Sequence, residues 1–463
     1  MTQKQESKQM LKVLKGMIGL EIHCYLLTRE KLFCNCKASR EKGLRANTLI
    51  CPICTGMPGA KPMLPNRTAV EKAVQIGLML NCKINKELVW QRKHYDWPDM
   101  PKGYQNTLSG KYAVPVGEKG KFKGIGISSM HLEEDPASWD PETGEIDYNR
   151  SGLPLVEIIT EPDFETSGEV MDWLTKLVHN LSYLKAVDAN AGIKVDTNVN
   201  IKGKTEKVEI KNISSIEDIG KAIDYELERQ GKEGNKNRET RRFDSNKGKT
   251  EVMRSKESGE DYRFISDPDL MDIVIDDKFI DVIKEKIPER PEEKLERFIK
   301  EHKIDKKNAE ILVKNIDIAE FYEKVVEKID AEYALPWITG NLFRLLNEHG
   351  AKLDQLDIRV EHFVSLLSLV KSGKITELQG KDILKKFYPK SFDPSGKVEE
   401  KITDEKKLKK VAEKVVKING KAVNDYKSGD KKSFEFLMGQ IMKETEKRAD
   451  FKVARSVLEK VLK

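Results

Sequence analysis

Residues 19–36 read GLEIHCYLLTREKLFCNC and bring a glutamate, a histidine and three cysteines into eighteen positions. These side chains suit two different ions. Cys34-x-Cys36 and Cys51-x-x-Cys54 are separated by 14 residues. Two tight pairs joined by a short loop can converge on one tetrahedral zinc as thiolates, and four thiolates leave no open position for water, so such a zinc is structural. All six cysteines fall in the first 82 residues of a 463-residue chain. The N-terminus, MTQKQESKQMLKVLKG, has no apolar signal core. A metal knuckle is therefore expected over a disulfide framework. Cys24 and Cys82 stand alone and are expected in the core.

Glu21 and His23 are not needed for that zinc. They share their oddity, a polar group in an apolar strand, with Glu133, Glu134 and Asp135 in SSMHLEED and with Glu157 in GLPLVEIITEPD. A carboxylate in such a run is seldom buried without a cation or a firm partner. Acids and one histidine from three strands make a magnesium or manganese site, although magnesium prefers oxygen ligands. Salt bridges at sheet edges are the alternative.

The elements that must position these groups are legible in part. In MIGLEIHCYL, alternation points Leu20, Ile22 and Cys24 one way and Glu21 and His23 the other. Residues 30–66 are turn-rich, 67–80 read as a helix, and 87–160 read as antiparallel strands and loops. Val170, Trp173, Leu174, Leu177, Val178, Leu181 and Leu184 share a helical face. Ser214 and Glu217 form a capping-box pattern opening a helix to about Gln230. The stretch GKEGNKNRETRRFDSNKGKT reads as polar loop. The expected fold class is α+β. Residues 1–289 form a domain with a largely antiparallel sheet and a zinc knuckle at 34–54, residues 290–395 an all-α helical domain, and residues 396–463 a tail of three short amphipathic helices.

Longer blocks carry a resemblance. GLEIHCYL, CPICTGMPGAKPMLPN, RKHYDWPDMPKGYQ, HLEEDPASW, DYNRSGLPLVEIITEPDF, VEIKNISSIEDIGKAIDYELERQ, RETRRFD, EVMRSKESGEDYRF and FLMGQIMKETEKRADFKVA occur in that order. Together they resemble the B-subunit family of the glutamyl/aspartyl-tRNA amidotransferases, over essentially the whole chain. The resemblance implies a cradle-shaped domain that uses ATP and magnesium to phosphorylate the side-chain carboxylate of Glu or Asp misattached to tRNA(Gln) or tRNA(Asn). Ammonia then displaces phosphate to give the amide, making the enzyme a glutamine-hydrolysing carbon–nitrogen ligase. It further implies an amidase partner, the A subunit, supplying ammonia, a small C subunit binding the two together, and a tail domain that holds tRNA. It places the magnesium ligands on Glu21, His23, Glu134 and Glu157, with Glu133 a near neighbour. Lys93, Tyr95, Lys102, Tyr104 and Gln105 match a block lining the same cavity. Lys211 and Asn212 sit in EIKN, and Arg241, Arg242 and Arg263 are basic candidates for phosphates. Lys194, Ser266-Asp267 and Pro136 depart from the family's usual residues. The archaeal E-type relatives carry a large insert for which this chain has no room.

The remaining features agree with this. There is no GxxxxGK[ST] loop, so ATP would not be held as in P-loop proteins. The glycine/serine-rich stretch of an amidase is missing, so ammonia must come from elsewhere. Charged residues are 35% of the chain with a net charge of +6, and the basic runs gather toward the C-terminus, as in KKLKKVAEKVVK. No apolar run approaches the roughly 20 residues of a membrane span, and a cytoplasmic protein without membrane partners is expected. The competing class is a non-catalytic, zinc-containing RNA-binding adapter, which would hold zinc only. A third reading is a ligase using free ammonium.

Overall fold

The computed structural model describes residues 15–41, 43–188, 192–213, 215–255, 262–396 and 398–463; the side chains of Asn212, Arg254 and Ser255 lie outside this set. The chain divides into two units, Met1–Arg290 and Pro291–Lys463.

In the first unit, β1 (Met17–Tyr25) leads through the cysteine-bearing loops to α1 (Arg67–Met79). Short strands follow: β2 (Lys83–Ile84), β3 (Glu87–Leu88), β4 (Gln91–His94) and β5 (Tyr104–Thr107). Next come the hairpin β6 (Gly117–Phe122) and β7 (Ile125–Glu134), the small pair β8 (Ser138–Trp139) and β9 (Ile146–Asp147), and β10 (Pro154–Thr160). Then follow α2 (Ser167–Tyr183), β11 (Ile193–Asn200), β12 (Val208–Ile213), α3 (Ile216–Glu233), β13 (Glu239–Asp244), β14 (Lys249–Ser255), β15 (Arg263–Ser266), β16 (Ile273–Val274) and α4 (Asp277–Lys284).

The main sheet runs β14-β13-β12-β11-β1-β10-β7-β5-β4-β15, with β6 added to β7 and β2 to β6. Its pairings are antiparallel except β12 with β13, which is parallel. A parallel pair needs a crossover, and α3 supplies it. This corrects the expected polar loop over 231–250, which carries the end of α3, all of β13 and the start of β14. The segment looked polar because its buried side chains, Thr240 and Arg241 among them, are polar groups rather than apolar ones; Glu209 and Glu226 satisfy these two.

One face of the sheet packs on α1, α2 and α3. Leu20, Ile22, Cys24, Leu132, Val156, Ile158 and Val195 join Ala73, Leu174, Leu177, Ile219 and Ile223 in a single core. Each such aliphatic side chain contributes about 1.5–3 kcal/mol on burial. The helices are fixed at their starts. Asn66 caps α1, Thr166 closes a capping box with Glu169 on α2, and Ser215 caps α3 through the Asp218 amide. Ser214, the expected cap of α3, lies outside the described residues. On α2, Val178 is 37% exposed; one step of about 100° carries it off the Leu174–Leu177–Leu181 stripe.

The second unit is helical: α5 (Pro291–Glu301), α6 (Lys306–Val313), α7 (Ile316–Val326), α8 (Ala331–Pro336), a π-helical turn at Trp337–Leu342, α9 (Phe343–Glu348), α10 (Val360–Lys371), α11 (Glu377–Lys385), α12 (Glu405–Ile418), α13 (Gly420–Lys427), α14 (Lys431–Glu444) and α15 (Phe451–Leu462). Among the described residues, the tail therefore holds four helices where three were expected. The extra one, α13, buries no residue fully, so it leaves no apolar period to read. Leu408, Ala412, Leu437, Met438, Ile441, Val457 and Leu458 form the tail's own core.

Candidate active site and metal centre

The period of two in β1 separates its side chains, and register brings partners to the face away from the helices. His23 lies opposite Glu157 on β10, and Glu157 opposite His131 on β7. His131 Nδ1 is 2.8 Å from Glu157 Oε2, and His23 Nε2 is 3.5 Å from Oε1. Two residues along β7, Glu133 accepts hydrogen bonds from Thr107 and from Gln105 Nε2, the latter at 3.1 Å. Lys93 pairs with Gln105 across β4 and β5 and sits 4.5 Å from the Tyr262 ring. Tyr95, just past β4, meets Tyr262 edge to face at 5.5 Å.

The electrostatics follow from these contacts. Burial opposes charge on Glu157, but the hydrogen bonds from His131 and His23 outweigh it and hold its carboxyl well below the usual range. Burial likewise pulls His23 down, yet Glu157 wins and pushes it up to about 9. Glu133 moves the other way: burial and the charge of Glu157 raise it, against Lys93 and Thr107. Neighbouring carboxyls thus have opposed preferences, a pattern common at sites that handle protons or cations.

A second acidic set adjoins the first. Carboxylate oxygens of Glu21, Asp196 and Glu209 all lie within 4.8 Å of one another, close enough to hold a cation. Asn198 Nδ2 donates to Glu21 Oε1 at 2.9 Å. Lys211 Nζ is 2.6 Å from Glu209 and 3.2 Å from Asp196; burial lowers its pKa but these carboxylates raise it further.

The structure divides the ligand set expected from the resemblance. His23 and Glu157 meet, whereas Glu21 joins Asp196 and Glu209. Glu134 stands apart from both groups: alternation turns it to the other face of β7, where the Lys102 ammonium and, at 2.9 Å, the Asn106 amide bind its Oε1. Glu133 occupies the position expected of Glu134. Lys102 and Tyr104 belong to that other face too, beside Arg92, whose Cζ lies 4.4 Å from the Tyr104 centroid. Arg263 pairs with His94, in phase with Arg92 rather than Lys93. Arg241, a phosphate candidate from the resemblance, is 8% exposed. It points toward α3, where Nε is 2.9 Å from Thr250 Oγ1 and 3.7 Å from Glu226. Arg242, exposed, pairs with Glu251 at 3.2 Å. The Asn212 side chain lies outside the described residues.

The four sulfurs of Cys34, Cys36, Cys51 and Cys54 also fall within 4.8 Å of one another. Tetrahedral zinc–thiolate geometry requires sulfurs about 3.8 Å apart; Cys54 Sγ is 3.9 Å from Cys51 Sγ and 4.0 Å from Cys36 Sγ. The cluster can therefore hold a metal ion. Cys54 sits at about 4, far below the usual thiol range, because the Cys34 thiol, the Cys51 amide and the Lys31 ammonium all point at it. Lys31 is 1% exposed, with Nζ 3.5 Å from Cys54 Sγ and 3.1 Å from the Tyr148 carbonyl. Gly56 ends the knuckle at φ +67°, where a Cβ would meet the Pro101 carbonyl oxygen at 2.4 Å. Only glycine fits there, and the knuckle thereby abuts the 101–103 turn that carries Lys102. Cys24 and Cys82 are buried in the core, and burial pushes each thiol up to about 12.

Sequence reasoning missed His131, Asp196 and Glu209. The last two carry the signal that singled out Glu157, an acid inside an apolar alternation, in IKVDTNVN and VEI.

The chain matches known proteins over nearly its whole length. The GatB/GatE catalytic domain family matches residues 16–281, and the GatB domain family matches residues 320–462. The chain is 41% identical over 461 residues to the B subunit of the aspartyl/glutamyl-tRNA(Asn/Gln) amidotransferase of Methanocaldococcus jannaschii, covering 94% of this chain and 95% of that protein. Identity to the same-named protein of Methanopyrus kandleri is 41% over 455 residues, covering 95% and 97%. To that of Thermoanaerobacter pseudethanolicus it is 38% over 473 residues, covering 97% and 99%.

Proposed function

Because this chain belongs to the GatB/GatE family, we propose that it is the B-type subunit of an aminoacyl-tRNA amidotransferase, converting Glu-tRNA(Gln), Asp-tRNA(Asn) or both to the amides with ATP. The observation that supports this best is the convergence of His23, Glu157, His131 and Glu133 on one polar sheet face, next to Glu21, Asp196 and Glu209. A carboxylate is a poor electrophile, and phosphorylation by ATP gives it a good leaving group. The site must then bring two anions together, which calls for positive charge.

The donor set fits magnesium: His23, Glu157 and Glu133 face the same space, and Glu21, Asp196 and Glu209 supply further oxygens. When bound, magnesium supplies charge stabilisation for the transferred phosphoryl group. The chain's own residues do the rest. His131 orients Glu157 through its 2.8 Å hydrogen bond. Gln105 and Thr107 fix Glu133, and Lys93 adds a cation on that face. The apolar body of Tyr95 helps keep water from an acyl phosphate.

The four-cysteine cluster suits zinc, which we assign a structural role, holding the knuckle against the turn that carries Lys102. Ammonia comes from a partner amidase subunit, with a small third subunit completing the assembly. No described helix is long and apolar enough to cross a membrane, and we place the enzyme in the cytoplasm. A tRNA-binding adapter without chemistry is not favoured, since it gives no role to a carboxylate held between two histidines.

The test is amide formation on Glu-tRNA(Gln) and Asp-tRNA(Asn) by the chain co-purified with its native partner subunits. ATP and ammonium chloride are supplied, and ammonium replaces the glutamine-derived ammonia. ATP-dependent amide on at least one charged tRNA is expected; none on either overturns the proposal.

A further inference from the structure

Along the ladder of β1 and β11, the polar face changes sign. One end carries Glu21, Asp196 and Glu209. At the other, the residue paired with His23 is Lys194, and the next β1 residue on that face is Tyr25. Arg40 lies over the Tyr25 ring, its Cζ 3.8 Å from the centroid. The ring is itself fixed, since its hydroxyl donates to Asp135 Oδ2 at 2.6 Å. Arg150 reaches the same oxygen at 3.3 Å and Asp99 at 4.0 Å.

Three cations thus gather at one end of the face, and their neutralisation is uneven. Arg150 has two carboxylates. Among the described residues, neither Lys194 nor Arg40 is paired with one. Lys194 is half-buried at its place opposite His23, one pair along the ladder face from the Tyr25 ring that carries Arg40. An ammonium withdrawn from water beside like charges is destabilised until an anion joins it. A guanidinium held flat on a ring presents its donor edge in a fixed direction, which suits oxygen atoms on phosphorus.

We infer that Lys194 and Arg40, the latter oriented by Tyr25, form a phosphate-binding subsite beside His23, at the opposite end of the face from the acidic set. The inference deepens the proposed function and rests on it in one respect: the phosphate is taken to belong to a substrate, either the nucleotide's phosphate chain or the tRNA acceptor end.

The test is equilibrium binding of ATP, adenosine, inorganic triphosphate, uncharged tRNA(Gln) and Glu-tRNA(Gln) to the full chain at fixed salt. Wild type is compared with Lys194→Met, Arg40→Met and Lys194→Arg. If the nucleotide is the source, both Met variants weaken ATP and triphosphate about tenfold or more and leave adenosine unchanged, while Lys194→Arg keeps most of the affinity. If the tRNA is the source, ATP is unaffected and both forms of the tRNA weaken together. Weakening of Glu-tRNA(Gln) alone would assign the pocket to the amino-acid carboxylate and overturn the phosphate assignment. Unchanged binding of every probe overturns the subsite altogether. Should Lys194→Met fail to fold, Arg40→Met, on an exposed side chain, reads the site alone. Amide formation is not the readout, so these binding constants stand or fall separately from the amidation assay.

Discussion

Glu157 is held between two imidazoles, and that geometry makes it the first residue to change. Glu157→Gln keeps the shape and removes the charge. We expect amide formation with ammonium to drop on the order of 10²–10³-fold, the usual scale for removing one electrostatic interaction with a transition state, with tRNA affinity unchanged. Near-normal turnover would make the carboxylate structural. Glu133 and Glu134 offer a sharper comparison because they are adjacent and face opposite ways. Glu133→Gln should cost activity on a scale similar to Glu157→Gln. Glu134→Gln should instead leave the mostly buried Lys102 without its carboxylate and destabilise the fold by about 3 kcal/mol, with turnover per folded molecule retained. Thermal melts and rates on both variants decide it, and a reversed pattern would restore Glu134 to the site.

At the scale of elements, the knuckle and the tail helices each have one decisive anchor. Elemental analysis should find close to one zinc per chain. Chelation, or Cys54→Ser, should lower the melting temperature and loosen the 101–103 turn that Gly56 touches; a metal-free chain of undiminished stability would refute the structural role. In the tail, Asp450 caps α15 through the Lys452 and Val453 amides and pairs with Lys401 at 2.8 Å. The Lys401 contact, then the Val453 N–H, hold its carboxyl below the usual range. A folded-state value below the unfolded one, about 3.9, means the stabilisation is present above that pH and lost as pH falls through the folded value. Asp450→Ala should cost about 1 kcal/mol at neutral pH and flatten the acid limb of tail unfolding, as followed by helical circular dichroism. These elements also show what could be read in advance. The amphipathic stripe of α2 and the cysteine spacing are local patterns, visible in any window of the chain. β13 and α13 were missed because one buries polar side chains in polar company and the other buries none fully.

For the whole molecule, the family match spans both units, yet their chemistry differs. Candidate metal ligands are confined to the first, among the described residues, and the exposed lysines Lys409, Lys410 and Lys443 lie in the second. Lys447, by contrast, is tied to Asp382, and Thr376 donates to its carbonyl, so deleting the tail would strip partners from α11. Substitution tests the tail more cleanly. Lys409→Ala, Lys410→Ala and Lys443→Ala together should weaken tRNA binding and reduce its salt dependence by roughly 0.7–0.9 for each phosphate left unneutralised. Affinity and slope both unchanged would mark these lysines as a solvated face.

By itself the sequence determined the α+β class, the helical second half, the paired cysteines of the knuckle, the two faces of β1 and, through its long ordered blocks, the family. Each depends on neighbours in sequence: spacing, alternation, or identity along a window. Only the tertiary structure decided which acids meet. Glu21 finds Asp196 and Glu209, His23 finds Glu157 and His131, and Glu133 rather than Glu134 turns toward them. Glu21 lies more than a hundred residues from Asp196 and Glu209, as His23 does from Glu157, and strand register joins them. A shift of one residue in a strand exchanges its faces, so the phase of an acid pair such as Glu133-Glu134 is set by hydrogen bonding to the neighbouring strand and by nothing within the pair itself.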